Sequence, residues 1–348
     1  MGRMSWKDVQ DATFPAGSAA PQTITKSSDG VLECYGTSLP ANGTGGYAPG
    51  CRFIHVDGAA DEVLYVNEGS KTSCDFHKAD RVPSAYHTTS GRGPSPGIWG
   101  DCPVLEMMLN PGKGWIHFYD FQNGPEIAAA TAVSSATACG YTVYSEANAT
   151  ATQQTDAPEG ELLLEVNGAD DIDIALGYSE KAGCIKIAAS QPKAFWFEAR
   201  VKMATVGDNK TSMFIGLHDE GCFVADGILA DDGAMTSDDY LGFLWPSSDN
   251  DTIDTVCELA AGAMLQIQDT VAVPVNDTYI KLGMKLIEGE TNVRFYVNDV
   301  ETSTTVAVTN AKFPADQELQ PVLALRSAAA DSPAGGASID WWRFAQLY

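Results

Sequence analysis

The stretch FWFEARVKM, residues 195–203, carries the pattern that decides the fold class. From Trp196 onward, the side chains alternate between two sets. One set contains Phe197, Ala199, Val201 and Met203, and the other contains Trp196, Glu198, Arg200 and Lys202. A period of two residues is that of a β-strand with one buried face. The stretch therefore predicts a strand that covers a hydrophobic core.

Similar short runs occur along most of the chain, separated by turns rich in Gly, Asn and Asp. They span residues 31–35, 51–56, 63–66, 115–121, 161–166, 212–217, 240–245, 264–268, 279–287, 292–297, 321–326 and 338–344. Many strands at short spacing are typical of a sandwich or barrel. Helical periodicity is weak, and only residues 127–137 and 254–262 are candidates for a helical turn. The chain is predicted to be all-β.

The length of 348 residues favours one large domain together with a smaller one. We predict an extended N-terminal arm at 1–30, a small β module at 31–76, a linker at 77–102 and a β-sandwich at 103–348. Within the module, two β runs flank Asp57-Gly58, which predicts a hairpin. A module of about 45 residues buries too little apolar area to be stable alone. We therefore expect it to be stabilised by packing against the larger domain, a sister subunit or a partner.

The formal net charge is −25, from 21 Lys and Arg against 46 Asp and Glu. A negative surface repels phosphate backbones and anionic lipids, so we expect neither nucleic acid nor a membrane as a partner. No run approaches the roughly 18 apolar residues of a membrane span. Residues 1–21 lack the apolar segment of a secretion signal. These features predict a soluble chain that is not exported.

The eight cysteines contain no Cys-x-x-Cys pair, and zinc ligands usually occur at such close spacing. We predict no metal site and no cofactor. In a chain without a secretion signal, free buried thiols are the default. Cys34, Cys51 and Cys74 are expected to lie close together, while the disulfide state stays open. Acidic loops at 226–232 and 249–251 also leave calcium binding open.

Catalytic motifs are absent from the sequence: there is no Gly-x-Ser-x-Gly, no Walker sequence and no His-Glu-x-x-His. A glycoside hydrolase needs two carboxylates that flank the sugar. The nearest candidates are Asp171, Asp173, Asp238 and Glu198, and they do not form the expected Glu-x-Asp-x-x-Glu pattern. The sequence therefore predicts that the protein is not an enzyme.

Two stretches resemble known families. The series FWFEARVKM, SMFIGLHDE, YIKLGMKLIEGETNVRFYVNDVE and ASIDWWRFAQL resembles the concanavalin A-like (laminin G-like) jelly roll over residues 195–348, and more loosely back to 104. The segment GYAPGCRFIHVDGAADEVLYVNEGSKTSCDF, residues 45–76, is similar to a short module of tailed-phage virion proteins. Together they resemble the capsid decoration (cement) proteins of tailed bacteriophages.

This resemblance implies a virion structural protein on the capsid surface, assembled in the host cytoplasm. It would bind the major capsid protein non-covalently and associate with itself as a trimer or dimer. The lattice position is open, as is the choice between stabilising the shell and aiding adsorption. The arm and the module supply the expected capsid contacts. These are Trp6, Val9, Phe14, Tyr47, Arg52, Phe53, His55 and Tyr65.

The main alternative is a carbohydrate-binding jelly-roll module that recognises host-surface glycans. Such a module needs exposed aromatic rings on which sugars stack, and Trp245 and Trp342 are the candidates. Because Trp341 and Trp342 are adjacent on a predicted strand, they should point to opposite faces, one inward and the other exposed or at an interface. A glycoside hydrolase that uses Asp173 or Glu198 is the third hypothesis.

Overall fold

The computed structural model describes most of the chain in two compact units, residues 1–86 and 87–348. The described residues are 21–56, 64–78, 91–128, 134–154, 160–166, 173–178, 183–206, 211–224, 227–230, 234–236, 238–247, 252–260, 263–327 and 335–348. Within these ranges, no helix has the length and apolar character needed to cross a membrane.

The first unit contains a sheet with the strand order β1-β2-β3-β4-β5. The strands are β1 (Gln22–Ser27), β2 (Gly30–Gly36), β3 (Tyr47–His55), β4 (Leu64–Asn67) and β5 (Phe76–Lys78). β2 and β3 are parallel, and the other neighbours are antiparallel. The β3–β4 pair confirms the predicted hairpin, whose turn at Asp57-Gly58 lies outside the described residues.

The sheet extends beyond the boundaries predicted for the module. β1 falls inside the predicted arm, 1–30, and pairs with β2 through a tight turn in which Ser27 faces Gly30. Gly30 has a φ of 118°, and a Cβ there would lie 2.6 Å from the Gly46 carbonyl oxygen. Only glycine fits this conformation and this approach. The prediction of an extended arm is therefore wrong for residues 22–27, and residues 1–20 lie outside the described part.

Among the described residues of the first unit, one buried cluster contains Cys34, Cys51, Phe53, Tyr65, Cys74 and Phe76, with Val31, Leu39 and Tyr47 packed against it. The predicted proximity of the three cysteines is confirmed, and the Sγ atoms of Cys34 and Cys51 are 3.9 Å apart. All three are free thiols. Sulfur here acts as a small apolar filler, since buried cysteine packs like a hydrophobe.

Cys34 is expected to react slowly with alkylating reagents in the folded protein. Burial, followed by the neighbouring Cys51, raises the pKa of its thiol to about 12, and only the thiolate is a strong nucleophile. Cys139, which is exposed, serves as the internal control. Timed iodoacetamide labelling at pH 8, read by peptide mass spectrometry, should show Cys139 modified at least tenfold faster. Equal rates would contradict the enclosed thiol core.

The second unit contains two sheets that pack face to face. The front sheet has the order β20-β19-β18-β13-β22-β10-β9, with β6 also paired to β22. Its strands are β6 (Gly114–Tyr119), β9 (Thr150–Gln153), β10 (Leu162–Val166), β13 (Phe195–Met203), β18 (Ile280–Leu286), β19 (Asn292–Val297), β20 (Val300–Ala307) and β22 (Gly335–Leu347).

The back sheet has the order β17-β16-β15-β14-β21-β11-β8-β7, with β12 paired to β21. Its strands are β7 (Ser134–Ala138), β8 (Tyr141–Ser145), β11 (Asp173–Gly177), β12 (Ile185–Lys186), β14 (Thr211–Asp219), β15 (Tyr240–Trp245), β16 (Ile253–Glu258), β17 (Leu265–Ala272) and β21 (Glu318–Ser327). The strand β16 occupies residues 254–258 of the helical turn predicted at 254–262, and β7 occupies residues 134–137 of the one predicted at 127–137. The helical predictions are wrong for these residues, while residues 129–133 and 261–262 lie outside the described part of the chain.

The chain passes repeatedly from one sheet to the other, as in a jelly roll. β13 is followed by β14 and β20 by β21, each pair lying in opposite sheets. The apolar set of residues 195–203 faces the large core between the sheets, where Phe197 and Val201 are fully buried. This arrangement confirms the predicted all-β jelly-roll sandwich, because the period of two places one face of each strand in the core.

In the described residues between β5 and β6, the chain forms two short helices, α1 (Pro96–Trp99) and α2 (Val104–Leu109). α1 lies inside the predicted linker, 77–102, but its residues Ile98 and Trp99 are buried in a cluster with Trp196 of β13. The linker prediction is therefore wrong for residues 91–102, which pack on the front sheet. We call residues 91–102 the strap.

Candidate functional site

The predicted capsid contacts divide into three groups in the structure. Trp6, Val9 and Phe14 lie outside the described residues. Arg52 is exposed and Tyr47 and His55 are half-buried, whereas Phe53 and Tyr65 belong to the core of the first unit. The prediction is wrong for Phe53 and Tyr65 as direct contacts, because strand alternation turns both rings inward.

The face of this sheet that points away from its own core carries two rows of side chains. The strand register aligns Glu33 with Arg52 and Val66, and Tyr35 with Ile54 and Leu64. Each of these residues alternates with a buried neighbour, so all six lie on the opposite face, which we call the outer face. Leu64 is 42% exposed. The outer face therefore presents an apolar row beside a charged one.

Sequence reasoning found only Arg52 among these six residues. Ile54, Leu64 and Val66 flank the aromatic residues that were chosen, and the alternation within each run is the signal that would have found them. Alternation alone could not have identified Tyr35 and Glu33. Their position beside Ile54 and Arg52 depends on the parallel pairing of β2 with β3.

The strap covers the outward surface of the front sheet through a fully buried carboxylate. Glu198 of β13 accepts a hydrogen bond from the Ser95 backbone N–H at 2.9 Å and another from Trp99 Nε1–H at 2.8 Å. Burial raises the pKa of Glu198, against the opposing influence of the hydrogen bonds and of Lys281. Lys281 itself donates to the Gly93 carbonyl at 3.2 Å.

A second set of contacts holds the far end of the strap. Lys285 donates to the Gly97 carbonyl at 2.7 Å and to Asp101 at 3.0 Å. Trp196 Nε1–H also donates to Asp101, at 2.9 Å. Opposite them, Gly283 leaves the space that the Ile98 side chain fills, and a Cβ at Gly283 would collide with it. The front sheet is therefore shaped to accept this segment.

The beginning of the strap is fixed on Asp340, which is almost fully buried. Asp340 accepts hydrogen bonds from Arg92, whose Nε lies 2.8 Å away, and from Arg200. The Arg92 carbonyl accepts a hydrogen bond from Trp341 Nε1–H at 2.7 Å. Trp341 is consequently buried beneath the strap. The expectation of one exposed tryptophan in the Trp341-Trp342 pair is wrong.

The residues proposed for sugar chemistry are enclosed by the protein. Trp245 and Trp342 are about 1% exposed or less and belong to the core between the sheets. The prediction that they stack on glycans is therefore wrong. Glu198 is covered by the strap, and Asp173 is buried with an oxygen 3.8 Å from the Arg326 guanidinium. Neither carboxylate can reach a sugar in this structure.

A third group of polar residues lies at one end of the back sheet. Ligand atoms of His218, Asp219 and Asp238 all fall within 4.8 Å of one another. Burial alone would lower the pKa of His218, but Asp219 and Cys222 raise it to about 10. Burial and the charge of Asp219 raise the pKa of Asp238 to about 6. The prediction of no metal site did not anticipate this cluster, because His218 and Asp238 are distant in sequence.

The chain was compared with known families, curated proteins and solved structures. No family model and no curated protein matches it. A protein of unknown function from Shewanella oneidensis MR-1 is 14% identical, with a TM-score of 0.42, over 70% of this chain and 94% of that chain. Peanut lectin is 13% identical, with a TM-score of 0.46, over 68% and 99%. The endo-1,3-beta-glucanase of Streptomyces sioyaensis is 11% identical, with a TM-score of 0.42, over 68% and 98%. With sequence identities and TM-scores this low, the functions of these proteins are not assigned to this chain.

Proposed function

We propose that this protein is a non-catalytic virion structural protein that decorates the capsid of a tailed bacteriophage. The first unit would bind the major capsid protein through its outer face, and the jelly-roll unit would form the exposed coat. The observation that carries the proposal is the outer face itself, where Ile54, Leu64 and Val66 lie beside Arg52.

The apolar row of the outer face would let this unit work as an attachment module. A partner that covers this row would add to the stability of the sheet, since burial contributes about 25 cal/mol per Å² of apolar area. Half-exposed apolar residues flanked by a charged row are typical of protein contact surfaces. The segment 45–76, which resembles a virion module, supplies β3 and β4 and therefore most of this surface.

The front sheet of the sandwich supports a role without catalysis. In the described residues, its central surface is occupied by the strap, which encloses Glu198, and Asp173 on the back sheet is also buried. Function would then depend on buried contact area, and repeated attachment to a symmetric shell favours a small symmetric oligomer. The net charge of −25 keeps neighbouring copies soluble at high density.

The proposal is tested by adding the purified full-length chain to capsids of the phage that encodes it, after removal of bound copies. We expect saturable binding that sediments with the shells. Leu64→Glu and Arg52→Glu should each weaken binding at least tenfold, because they place charge in the apolar row or reverse the charge beside it. The matched control is Leu105→Glu, at a residue of α2 in the second unit that is 69% exposed, and it should bind as the unmodified protein does.

Thermal unfolding is the control for folding. Each outer-face variant should have a thermal midpoint close to that of the unmodified protein. Binding that survives both substitutions, or that Leu105→Glu removes equally, would locate attachment elsewhere. Failure to bind any shell, together with glycan-array binding by the same preparation, would replace the proposal with the carbohydrate-binding alternative.

A further inference from the structure

The cluster of His218, Asp219 and Asp238 is positioned by strand pairing. His218 is the cross-strand partner of Tyr240 in the β14–β15 ladder. The Asp219 backbone N–H donates to the Asp239 carbonyl at 3.0 Å, which places Asp238 beside the end of β14. Side chains on paired strands need little reorganisation to act together, so these three form a preorganised group.

The imidazole of His218 has an unusual environment for a buried polar ring. It is fully buried, and among the described residues neither ring nitrogen has a partner in hydrogen-bond geometry. Nδ1 is 2.7 Å from Asp219 Oδ1, but both atoms remain without a properly directed hydrogen bond. Buried polar groups in folded proteins normally have a partner. His218 therefore has an ion pair with Asp219 but no directed hydrogen bond at either nitrogen, which leaves the ring able to bind a metal ion once it loses its proton.

The charges around the ring indicate the sign of that ligand. Asp219 and Asp238 place two carboxylates within reach of one imidazole nitrogen. Two like charges held together in a partly buried site repel each other, and a divalent cation removes that repulsion. The side chain of Asp219 is 22% exposed, so an ion can enter from solvent.

We infer that His218, Asp219 and Asp238 bind one divalent transition-metal ion, represented by Zn²⁺, through one nitrogen and two carboxylate oxygens. Imidazole and carboxylate are ordinary zinc ligands at about 2.0–2.2 Å. Calcium and magnesium prefer ligand sets made only of oxygen, so the buried imidazole selects against them. Three protein ligands leave the fourth tetrahedral position to water. The site lies on the second unit and is independent of the attachment role proposed for the first.

The test measures Zn²⁺ binding to the full-length chain after treatment with a chelator. Isothermal titration should give one tight Zn²⁺ per chain, and saturation should raise the thermal midpoint, because a ligand that binds only the folded state stabilises it. Asp219→Asn and Asp238→Asn should each weaken this binding at least tenfold. The control Asp269→Asn, at an exposed aspartate of β17 in the same sheet, should leave it unchanged.

Three results would overturn the inference: no tight Zn²⁺ site, unchanged affinity in both cluster variants, or tighter binding of Ca²⁺ than of Zn²⁺. Circular dichroism shows whether the variants fold. If neither does, the Co²⁺ absorption spectrum of the unmodified chain decides, because ligation by nitrogen and oxygen lacks the intense thiolate charge-transfer band. A strong thiolate band would assign the metal to cysteines and contradict the proposed ligands.

Discussion

Replacing Glu198 with alanine is expected to lower the free energy of unfolding of the second unit by about 3 kcal/mol or more. The Ser95 N–H and Trp99 Nε1–H would both lose their acceptor within a buried interface. Each buried donor left without a partner costs about 1–3 kcal/mol. Lys281, which is also buried, would lose the nearby negative charge. Denaturant-induced unfolding followed by tryptophan fluorescence measures the loss.

The matched control is Glu198→Gln, which keeps an oxygen acceptor of the same shape and removes only the charge. Because burial already raises the pKa of Glu198, the neutral amide should cost clearly less than alanine. Hydrogen exchange across residues 91–102 should accelerate in Glu198→Ala and stay slow in Glu198→Gln. An alanine variant as stable as the original protein would show that the strap is held by its other contacts alone.

Trp342→Ala is expected to cost about 3–5 kcal/mol, the usual effect of deleting a large aromatic side chain from a core. The indole is fully buried between the sheets, packs near Phe121, and donates from Nε1 to the Tyr141 hydroxyl at 3.1 Å. The substitution leaves a cavity and removes one of the hydrogen bonds of the Tyr141 hydroxyl, which keeps its contact with His117 Nε2. Calorimetry or chemical denaturation would measure the loss in the free energy of unfolding.

Phe118→Ala provides the comparison for Trp342→Ala, since Phe118 lies on β6 of the same sheet and its side chain is largely exposed. A cost below about 1 kcal/mol is expected for it. If Trp342→Ala were equally mild, or if it removed binding to a glycan without lowering the stability, the core position of this indole would be contradicted.

The pattern of single strands was visible in the sequence, because alternation is a local property. Residues 195–203 form β13 with the predicted alternation, although Trp196 and Glu198 on the face predicted to be open are also buried, and the hairpin of β3 and β4 forms as expected. Both follow from neighbouring residues. The helical turn predicted at 254–262 was wrong because it was judged from local sequence alone. The segment has no clear hydrophobic period, and pairing between β15 and β17 makes residues 253–258 a strand.

The strap could not be predicted, because its stability comes from residues far away in the chain. A segment rich in Pro, Gly and Ser has the composition of a linker. This composition does not indicate which surface of the protein the segment packs against. Ser95 meets Glu198, which is 103 positions away. The strap also explains the error at Trp341, because its Nε1–H donates to the Arg92 carbonyl, a contact between residues that are also distant in sequence.

The candidate sites were limited by register in the same way. His218 and Asp238 meet only because β14 pairs with β15 at one particular alignment, in which His218 faces Tyr240. A shift of one residue would turn these side chains to opposite faces. The outer face similarly needs the parallel pairing of β2 with β3. The sequence showed which residue types were present, and the pairing of the strands determined which of them lie close together.

The attachment of the strap has a mechanical consequence. Near the start of the described part of the second unit, Arg92 is tied to Asp340 and Trp341 on β22, so a pulling force that reaches Arg92 is transmitted to that strand. β22 is flanked by β13 and β10, so it is an interior strand of the front sheet. Load entering there is shared across several ladders instead of peeling one edge strand, and the sandwich should resist detachment by shear.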